Sequence, residues 1–318
     1  MSADASQPLV GRLAPSPTGH LHIGHARSFL LAWLSVRSRG GRVLLRIEDL
    51  DRERVKPGYT DDVLRDLEWL GLDWDGPVQL QSENEPALHE AAQSLLDSGQ
   101  AFPCFCTRKE IALSAPHASD AEVRYPGTCR GRFASEREGE AALGRQAGLR
   151  FRCEPEELTL EDAYLGPFTS NPGEEVGDFL IRRRDRAIAY QLAVVVDDAR
   201  SGVTEVLRGR DLLSSTARQW LLQEVLGLPH PTWIHVPLVT DAESRRLAKR
   251  DGDTTLASLR ERGVDPRALV AWLAASAGQT CTSHATPADL LPTFDLKLLP
   301  RADVVFDAEQ ESALGPRT

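Results

Sequence analysis

The chain has 318 residues, enough to bury a sizeable core and to divide into two or three units. Its 37 basic and 47 acidic side chains leave a net charge of −10, so a nucleic-acid partner has to be held by local basic patches against an unfavourable overall field. No apolar run is long enough to span a bilayer, residues 1–7 lack the basic and apolar regions of a signal peptide, and the five cysteines suit a reduced compartment, so a cytoplasmic enzyme with no membrane partner is expected.

The first element is a strand over 9–13, followed by turn residues at 15–19. A helix comes next, with Ala26, Phe29, Leu30, Trp33 and Leu34 at helical spacing until Gly40-Gly41 ends it. The helix amino terminus points back at the turn, where exposed N–H groups and the positive dipole end favour an anion. The imidazoles of His22 and His25 add donors for phosphate oxygens, and Gly24 lets a flat base approach the backbone. Strand, turn and helix together read as a nucleotide-phosphate site.

A β-rich run over 42–47 follows. Period-two geometry puts Arg46 and Glu48 on one face, opposite Val43, Leu45 and Ile47. Two charged groups thus sit at the carboxyl end of a strand, where open α/β sheets bind ligands; a solvated ion pair is the other reading.

Cys104-Phe105-Cys106 comes next, with Tyr125 and Cys129 downstream. On an extended backbone the C-x-C pair directs both thiolates to one side, and a returning loop can close a tetrahedral site. Three cysteines with a water, or three reduced thiols without metal, are the alternatives. Cys153 and Cys281 have no partners in sequence and read as packed side chains.

Strands are then expected over 179–182 and 188–196, joined by an Arg-Asp turn and placing Tyr190 in the second strand. Residues 203–207 lead into Arg208-Gly209. A guanidinium grips a carboxylate in bidentate fashion and a phenol donates to it, which singles out Arg12, Arg208 and Tyr190 once a carboxylate ligand is in view. An amphipathic helix over 211–226 and a buried strand over 233–239 follow. Arg245-Arg246-Leu247-Ala248-Lys249-Arg250 then forms a cationic loop, of the kind that stabilises charge building on an α-phosphate during in-line attack. Arg182, Arg183, Arg184, Arg186, Arg210 and Arg218 are candidates for RNA phosphate contact, with a solvated charged face as the alternative.

His22-Ile23-Gly24-His25 matches the "HIGH" signature of the class I aminoacyl-tRNA synthetases and their nucleotidyltransferase relatives, which form adenylates from ATP. Arg12-Leu13-Ala14-Pro15-Ser16 with Arg46-Ile47-Glu48-Asp49 resembles the R-F-A-P-S and R-I-E-D pair of the glutamyl branch. Residues 246–250 occupy the place of the "KMSKS" loop, with Arg246 for its first lysine, Ala248 for its serine and Lys249 as the clear counterpart. The motifs run in family order from about residue 9 to 306.

The resemblance implies an α/β fold: a class I Rossmann-type catalytic domain with a zinc-bearing insertion and a short C-terminal helical region like the stem-contact region. The expected divisions are 8–100 and 177–240 for the two halves, 101–176 for the insertion, and 241–310 for the loop and helical region. It implies His22, His25 and Lys249 as catalytic residues. Arg12, Leu13, Ala14, Pro15, Ser16, Glu48, Tyr190 and Arg208 would form the glutamate site, with His22, Gly24, His25, Arg246 and Lys249 holding ATP. One structural zinc ion per chain would bind Cys104, Cys106, Tyr125 and Cys129, and magnesium would accompany ATP. Which arginine takes which glutamate carboxylate stays open.

Full-length glutamyl-tRNA synthetases continue into a large helical anticodon-binding domain, whereas this sequence stops soon after Val305-Phe306-Asp307. The branch with this shorter layout, the glutamyl-queuosine tRNA(Asp) synthetases, activates glutamate without needing tRNA and esterifies it to the cyclopentene-diol of queuosine in the tRNA(Asp) anticodon loop. Residues 189–198 and 203–206 resemble that branch, while His22-Ile23-Gly24-His25, Lys249-Arg250 and the longer carboxyl-terminal tail lean towards full-length enzymes. The expectation is a monomeric ligase acting on ATP, L-glutamate and queuosine-bearing tRNA(Asp). A ligase charging the 3′ end of tRNA(Glu) and a non-catalytic paralogue are the alternatives.

Overall fold

Strand β1 (Val10–Leu13) occupies the centre of a parallel arrangement in the computed structural model, which describes residues 8–114, 124–243, 245 and 255–315. The chain passes from β1 through helix α1 (Ile23–Arg37) to β2 (Arg42–Ile47), then through α2 (Tyr59–Leu70) to β3 (Gln79–Leu80). These strands pair in parallel in the order β1-β2-β3, with Val10 opposite Arg42 and Arg46 opposite Gln79. Helix α3 (Glu85–Asp97) then leads to an antiparallel segment. It comprises β4 (Ala101–Cys104), α4 (Arg108–Ser114), α5 (Glu136–Leu143), β5 (Gly148–Phe151), β6 (Leu158–Asp162), β7 (Gly166–Ser170), α6 (Pro172–Glu175) and β8 (Phe179–Arg182). Strands β4-β5-β8 form one sheet, and β6-β7 is a separate hairpin.

The parallel pattern resumes with α7 (Tyr190–Arg200), β9 (Glu205–Gly209), α8 (Leu213–Leu226) and β10 (Thr232–Val236). Strand β9 lies beside β1, tied by Thr204 donating its N–H to the Val10 carbonyl at 2.9 Å, and β10 pairs in parallel with β9. The strand order β3-β2-β1-β9-β10 thus reverses direction between β1 and β9. In open α/β sheets that reversal leaves a crevice at the carboxyl ends of the two strands. Strand β11 (Val239–Thr240), helices α9 (Leu256–Glu261), α10 (Pro266–Ser276) and α11 (Pro287–Leu290), strand β12 (Val304–Val305) and α12 (Ala308–Leu314) complete the described chain. Strand β12 returns to pair in parallel with β11.

Alternation along the parallel strands sorts residues between two layers. Leu13, Val43, Leu45, Ile47, Leu207, Ile234 and Val236 join α1, α2 and α10 in the main core. Val10, Leu44, Val206 and Trp233 form a second apolar layer on the opposite face. Two residues further along each of these four strands, on that second face, stand Arg12, Arg46, Arg208 and His235, all buried. Helix α7 covers this row, and its Asp198 reaches both Arg12 and Arg46.

Two sequence expectations are corrected. Tyr190 begins a helix and does not lie in a strand, because 188–196 yields only a single bridge, at Ile188, before α7 starts. Residues 192–198 are all buried, and the apolar run over 192–196 marks a buried helix as readily as a buried strand. The expected strand over 233–239 is broken at Pro237 into β10 and β11, since proline has no N–H for the ladder. No described helix is long and apolar enough to cross a membrane.

Close approach of α1 to β1 depends on Gly11, where a Cβ would lie 2.4 Å from Cγ2 of Val36. Gly11→Ala is therefore expected to cost roughly 1–3 kcal/mol of stability through overpacking, measured by chemical denaturation.

Candidate active site

A cleft of about 760 Å³ opens at the strand-order reversal, lined by residues of β1, α1, β9 and α7 and by the turn after β1. One wall is the amino terminus of α1, which His22 and His25 cap. The His22 Nδ1 accepts the Gly24 N–H at 3.1 Å, and the His25 Nδ1 accepts the His22 N–H at 3.2 Å, a reciprocal capping box. With both Nδ1 atoms accepting, each neutral ring carries its proton on Nε2. The two rings tilt against each other with centroids 3.7 Å apart. The space beside Gly24 is held by His22: a Cβ there would lie 3.0 Å from its ring, so any base reaching Gly24 also meets that imidazole.

The opposite wall is built on the charged row. Arg46 faces Asp198 at 2.7 Å and Glu48 at 3.5 Å, and Arg12 reaches Asp198 through Nε at 3.4 Å. Ser16 donates to Glu48 at 3.4 Å, and the Glu48 N–H donates to the Pro15 carbonyl, which lays the turn along the end of β2. Burial pushes the Glu48 carboxyl above its ordinary range, and Arg46 and Arg12 offset only part of that shift. At Asp198 burial acts in the same direction, but the two arginines outweigh it and hold the carboxyl below the usual range.

Arg208 differs from its neighbours because its hydrogen-bond partners are all neutral. It donates to Gln219 at 2.9 Å, Thr216 at 3.0 Å, His235 at 3.0 Å, the Leu212 carbonyl at 3.2 Å and the Tyr190 hydroxyl at 3.4 Å. Its guanidinium also lies 4.7 Å from the Trp233 ring centroid. Burial pulls its pKa down and the charge of Arg12 adds to that shift, with Tyr190 and the more distant Asp198 opposing it. A carboxylate entering the cleft supplies a negatively charged partner.

Arg12, Ala14, Pro15, Ser16, His22, Gly24, His25, Glu48, Tyr190 and Arg208 therefore all line one cleft, as the sequence reading grouped them. Leu13 does not: its side chain is fully buried in the main core. Arg246 and Lys249 lie outside the described residues. The flanks of their segment are at the cleft, since Val239 lines it and Thr255 bridges to His22. Most of the arginines considered for RNA are engaged elsewhere: Arg182 and Arg186 with Glu136, Arg183 with Asp185, Arg210 with Asp303, and Arg218 buried in α8. Sequence reasoning passed over Asp198, His235 and Asp162. Extending the alternation of Trp233 by two positions would have placed His235 on the charged row.

Away from the cleft, the sulfurs of Cys104, Cys106 and Cys129 lie within 4.8 Å of one another, a group able to hold a metal ion. The Tyr125 hydroxyl is 3.4 Å from Cys104 and 3.8 Å from Cys106. Only Cys104 belongs to β4, so the thiols converge through the loop after the strand and not through two strand positions. Cys153 is buried in a different apolar cluster and Cys281 packs against the main core.

Asp198 compensates two buried guanidinium groups at once. Asp198→Asn is expected to destabilise the fold by about 3–5 kcal/mol, because removing one partner of a buried pair leaves the other charges uncompensated. The depressed native pKa makes this contribution present at neutral pH and lost as pH falls through it. Denaturant titrations of both proteins at neutral and acid pH would measure the difference, which should narrow in acid.

The family model for tRNA synthetases class I (E and Q), catalytic domain, matches residues 8–285. A glutamyl-Q tRNA(Asp) synthetase of Symbiobacterium thermophilum is 45% identical over 98% of this chain and 99% of its own length. The protein of that name from Nocardia farcinica is 45% identical over 94% of both chains. Among solved structures, a glutamate tRNA ligase from Elizabethkingia meningosepticum, in complex with its amino acid, superposes with a TM-score of 0.83 at 27% identity, covering 97% of this chain and 69% of that one. With the match spanning the charged row, the capped helix and the cleft between them, the chain belongs to the class I tRNA synthetases for glutamate and glutamine, whose catalytic domain it carries.

Proposed function

We propose that the protein activates L-glutamate with ATP and transfers it to the cyclopentene-diol of queuosine in the anticodon loop of tRNA(Asp). The observation that carries the amino-acid assignment is Arg208, a buried cation bonded only to neutral groups in the same cleft as Arg12, Ser16, Glu48 and Tyr190. Glutamate presents two carboxylates and one ammonium, which two arginines and Glu48 complement. Glutamine would leave one guanidinium without its counter-charge, and that loss is the physical basis of selection. Arg12, Ala14, Pro15 and Ser16 supply one side of the amino-acid site, and Tyr190 donates to a carboxylate.

On the other wall, the α1 amino terminus and the imidazoles of His22 and His25, which line the cleft, would hold the phosphates of ATP. Arg246 and Lys249 add positive charge from the neighbouring segment. A glutamate carboxylate oxygen attacks the α-phosphate, and pyrophosphate departs with the electrons of the broken P–O bond. A queuosine hydroxyl then attacks the activated carbonyl and AMP leaves. Holding both reactants in one cleft removes most of the entropic barrier, and donors on the phosphates stabilise the developing charge. Magnesium arrives with the triphosphate. The two similar proteins named as glutamyl-Q tRNA(Asp) synthetases support the acceptor.

In this reading 8–100 and 177–240 are the halves of the nucleotide fold, 101–176 is the insertion and 241–310 the stem-contact-like region. Cys104, Cys106, Cys129 and Tyr125 would hold one zinc ion in the insertion. The donor set fits: Arg150 donates to the Cys104 sulfur at 3.3 Å and the Phe105 N–H to the Cys129 sulfur at 3.5 Å, both favouring thiolates. Burial, with the charge of Cys104, pushes the Cys106 thiol up to about 12, a penalty a divalent cation removes. Four protein donors leave no open position, so the ion would cross-link the insertion and take no part in the reaction.

Glutamate-dependent ATP–pyrophosphate exchange is expected without any tRNA, followed by transfer of labelled glutamate to tRNA(Asp) lacking its 3′-terminal nucleotides. Transfer that needs the 3′ end, or that prefers tRNA(Glu), overturns the acceptor assignment. For the metal, elemental analysis should find close to one zinc per chain in the parent protein and a marked loss in Cys104→Ser. Equal contents in the two would refute the site.

A further inference from the structure

Beyond the cleft, on the far side of Arg208, lies a buried chain of hydrogen bonds that no contact with a ligand explains. His235 on β10 is the parallel-register partner of Arg208 on β9 and is fully buried. Its Nε2 accepts the Arg208 Nε–H at 3.0 Å, with the Thr216 hydroxyl at 3.2 Å. Its Nδ1 lies 2.7 Å from Oδ2 of Asp162, the last residue of β6. Since Arg208 has only protons to offer, the imidazole must accept at Nε2 and carry its own proton on Nδ1, directed at the carboxylate.

Asp162 is committed to this arrangement. Its Oδ1 accepts the N–H groups of Tyr164 at 2.9 Å and Leu165 at 2.7 Å, and its Oδ2 accepts both the N–H and the Nδ1–H of His235, the former at 3.0 Å. Four donors converge on one carboxylate, which holds it below its ordinary range against the opposing effect of burial. Burial, together with the charges of Arg208 and Arg12, keeps His235 below the usual histidine range and therefore neutral.

We propose that Asp162 and His235 are positioning residues for the amino-acid site: Asp162 selects the His235 tautomer, and His235 fixes the plane and direction of the Arg208 guanidinium. Neither touches the substrate. The charged carboxylate is needed because an amide in its place would turn an NH₂ group towards two of the four donors. With the NH₂ towards His235, the imidazole could satisfy it only by moving its proton to Nε2, where it would oppose the Arg208 Nε–H. With the NH₂ towards the N–H groups of Tyr164 and Leu165, two donors lose their acceptor and the hairpin that carries the side chain is loosened against His235. The guanidinium would then lose its fixed direction and with it the bidentate geometry that a carboxylate demands. The β6–β7 hairpin thereby controls a residue of the cleft that it does not line.

The inference rests on the glutamate reading of the cleft, and steady-state exchange kinetics separate the two. In Asp162→Asn the KM for glutamate is expected to rise about tenfold or more, the scale of one charge-assisted hydrogen bond, while the KM for ATP stays within about threefold. His235→Gln keeps an acceptor near the Nε2 position and should retain a lower glutamate KM than His235→Leu. Because KM is read from folded molecules alone, partial unfolding of a variant lowers the rate without producing this split. Parallel shifts in both KM values, an unchanged glutamate KM in Asp162→Asn, or equal values for the two His235 variants overturn the inference while leaving the activity standing. A parent protein with no glutamate-dependent exchange overturns both.

Discussion

A buried positive charge whose hydrogen-bond partners are all neutral is the constraint on which the cleft depends. Arg12, Arg46, Arg208 and His235 each lie two positions beyond an apolar residue on the same face of β1, β2, β9 and β10, with Arg208 and His235 level with each other and Arg12 level with Leu44. Asp198 and Glu48 answer Arg12 and Arg46, whereas Arg208 is bonded only to neutral atoms. Burying a guanidinium in this way costs stability, and the surrounding fold holds it in place through five directed hydrogen bonds. The imbalance favours an anion in the cleft.

The two walls solve different problems with different materials. One wall presents the start of a helix, with its dipole end and the two imidazoles that cap it. The amino-acid side uses full charges at strand ends, where the backbone is paired and side chains project at fixed intervals. Both walls meet at the strand-order reversal because only there do a helix terminus and strand ends from the two halves of the sheet face one gap.

Much of this was legible in the sequence, for reasons that differ by element. Strand β2 was read at its observed limits because alternation and the charged pair at its end are local signals. The start of α1 was marked by turn residues and helical spacing. Tyr190 was misplaced because Val194-Val195-Val196 favours strand by propensity, and only burial between neighbouring elements makes it helical. His235 and Asp162 carried no local mark: their contact joins residues 73 positions apart, across a hairpin whose docking cannot be inferred from either segment. The cysteine cluster was recognisable from spacing alone, although the loop geometry that gathers the thiols was not.

The tie between Thr204 and Val10 spans 194 positions. Until that contact forms, β1 and β9 are edges of separate sheets and no cleft exists between them. Pairing so distant in sequence is slow, since the chain must close a very large loop before any contact rewards it. In chain order, Arg12 and Arg46 precede Asp198, their buried partner, by more than 150 positions, and the second wall of the cleft comes later still. The cleft thus exists only in the closed chain, and any ligand that needs both of its walls would favour that closure.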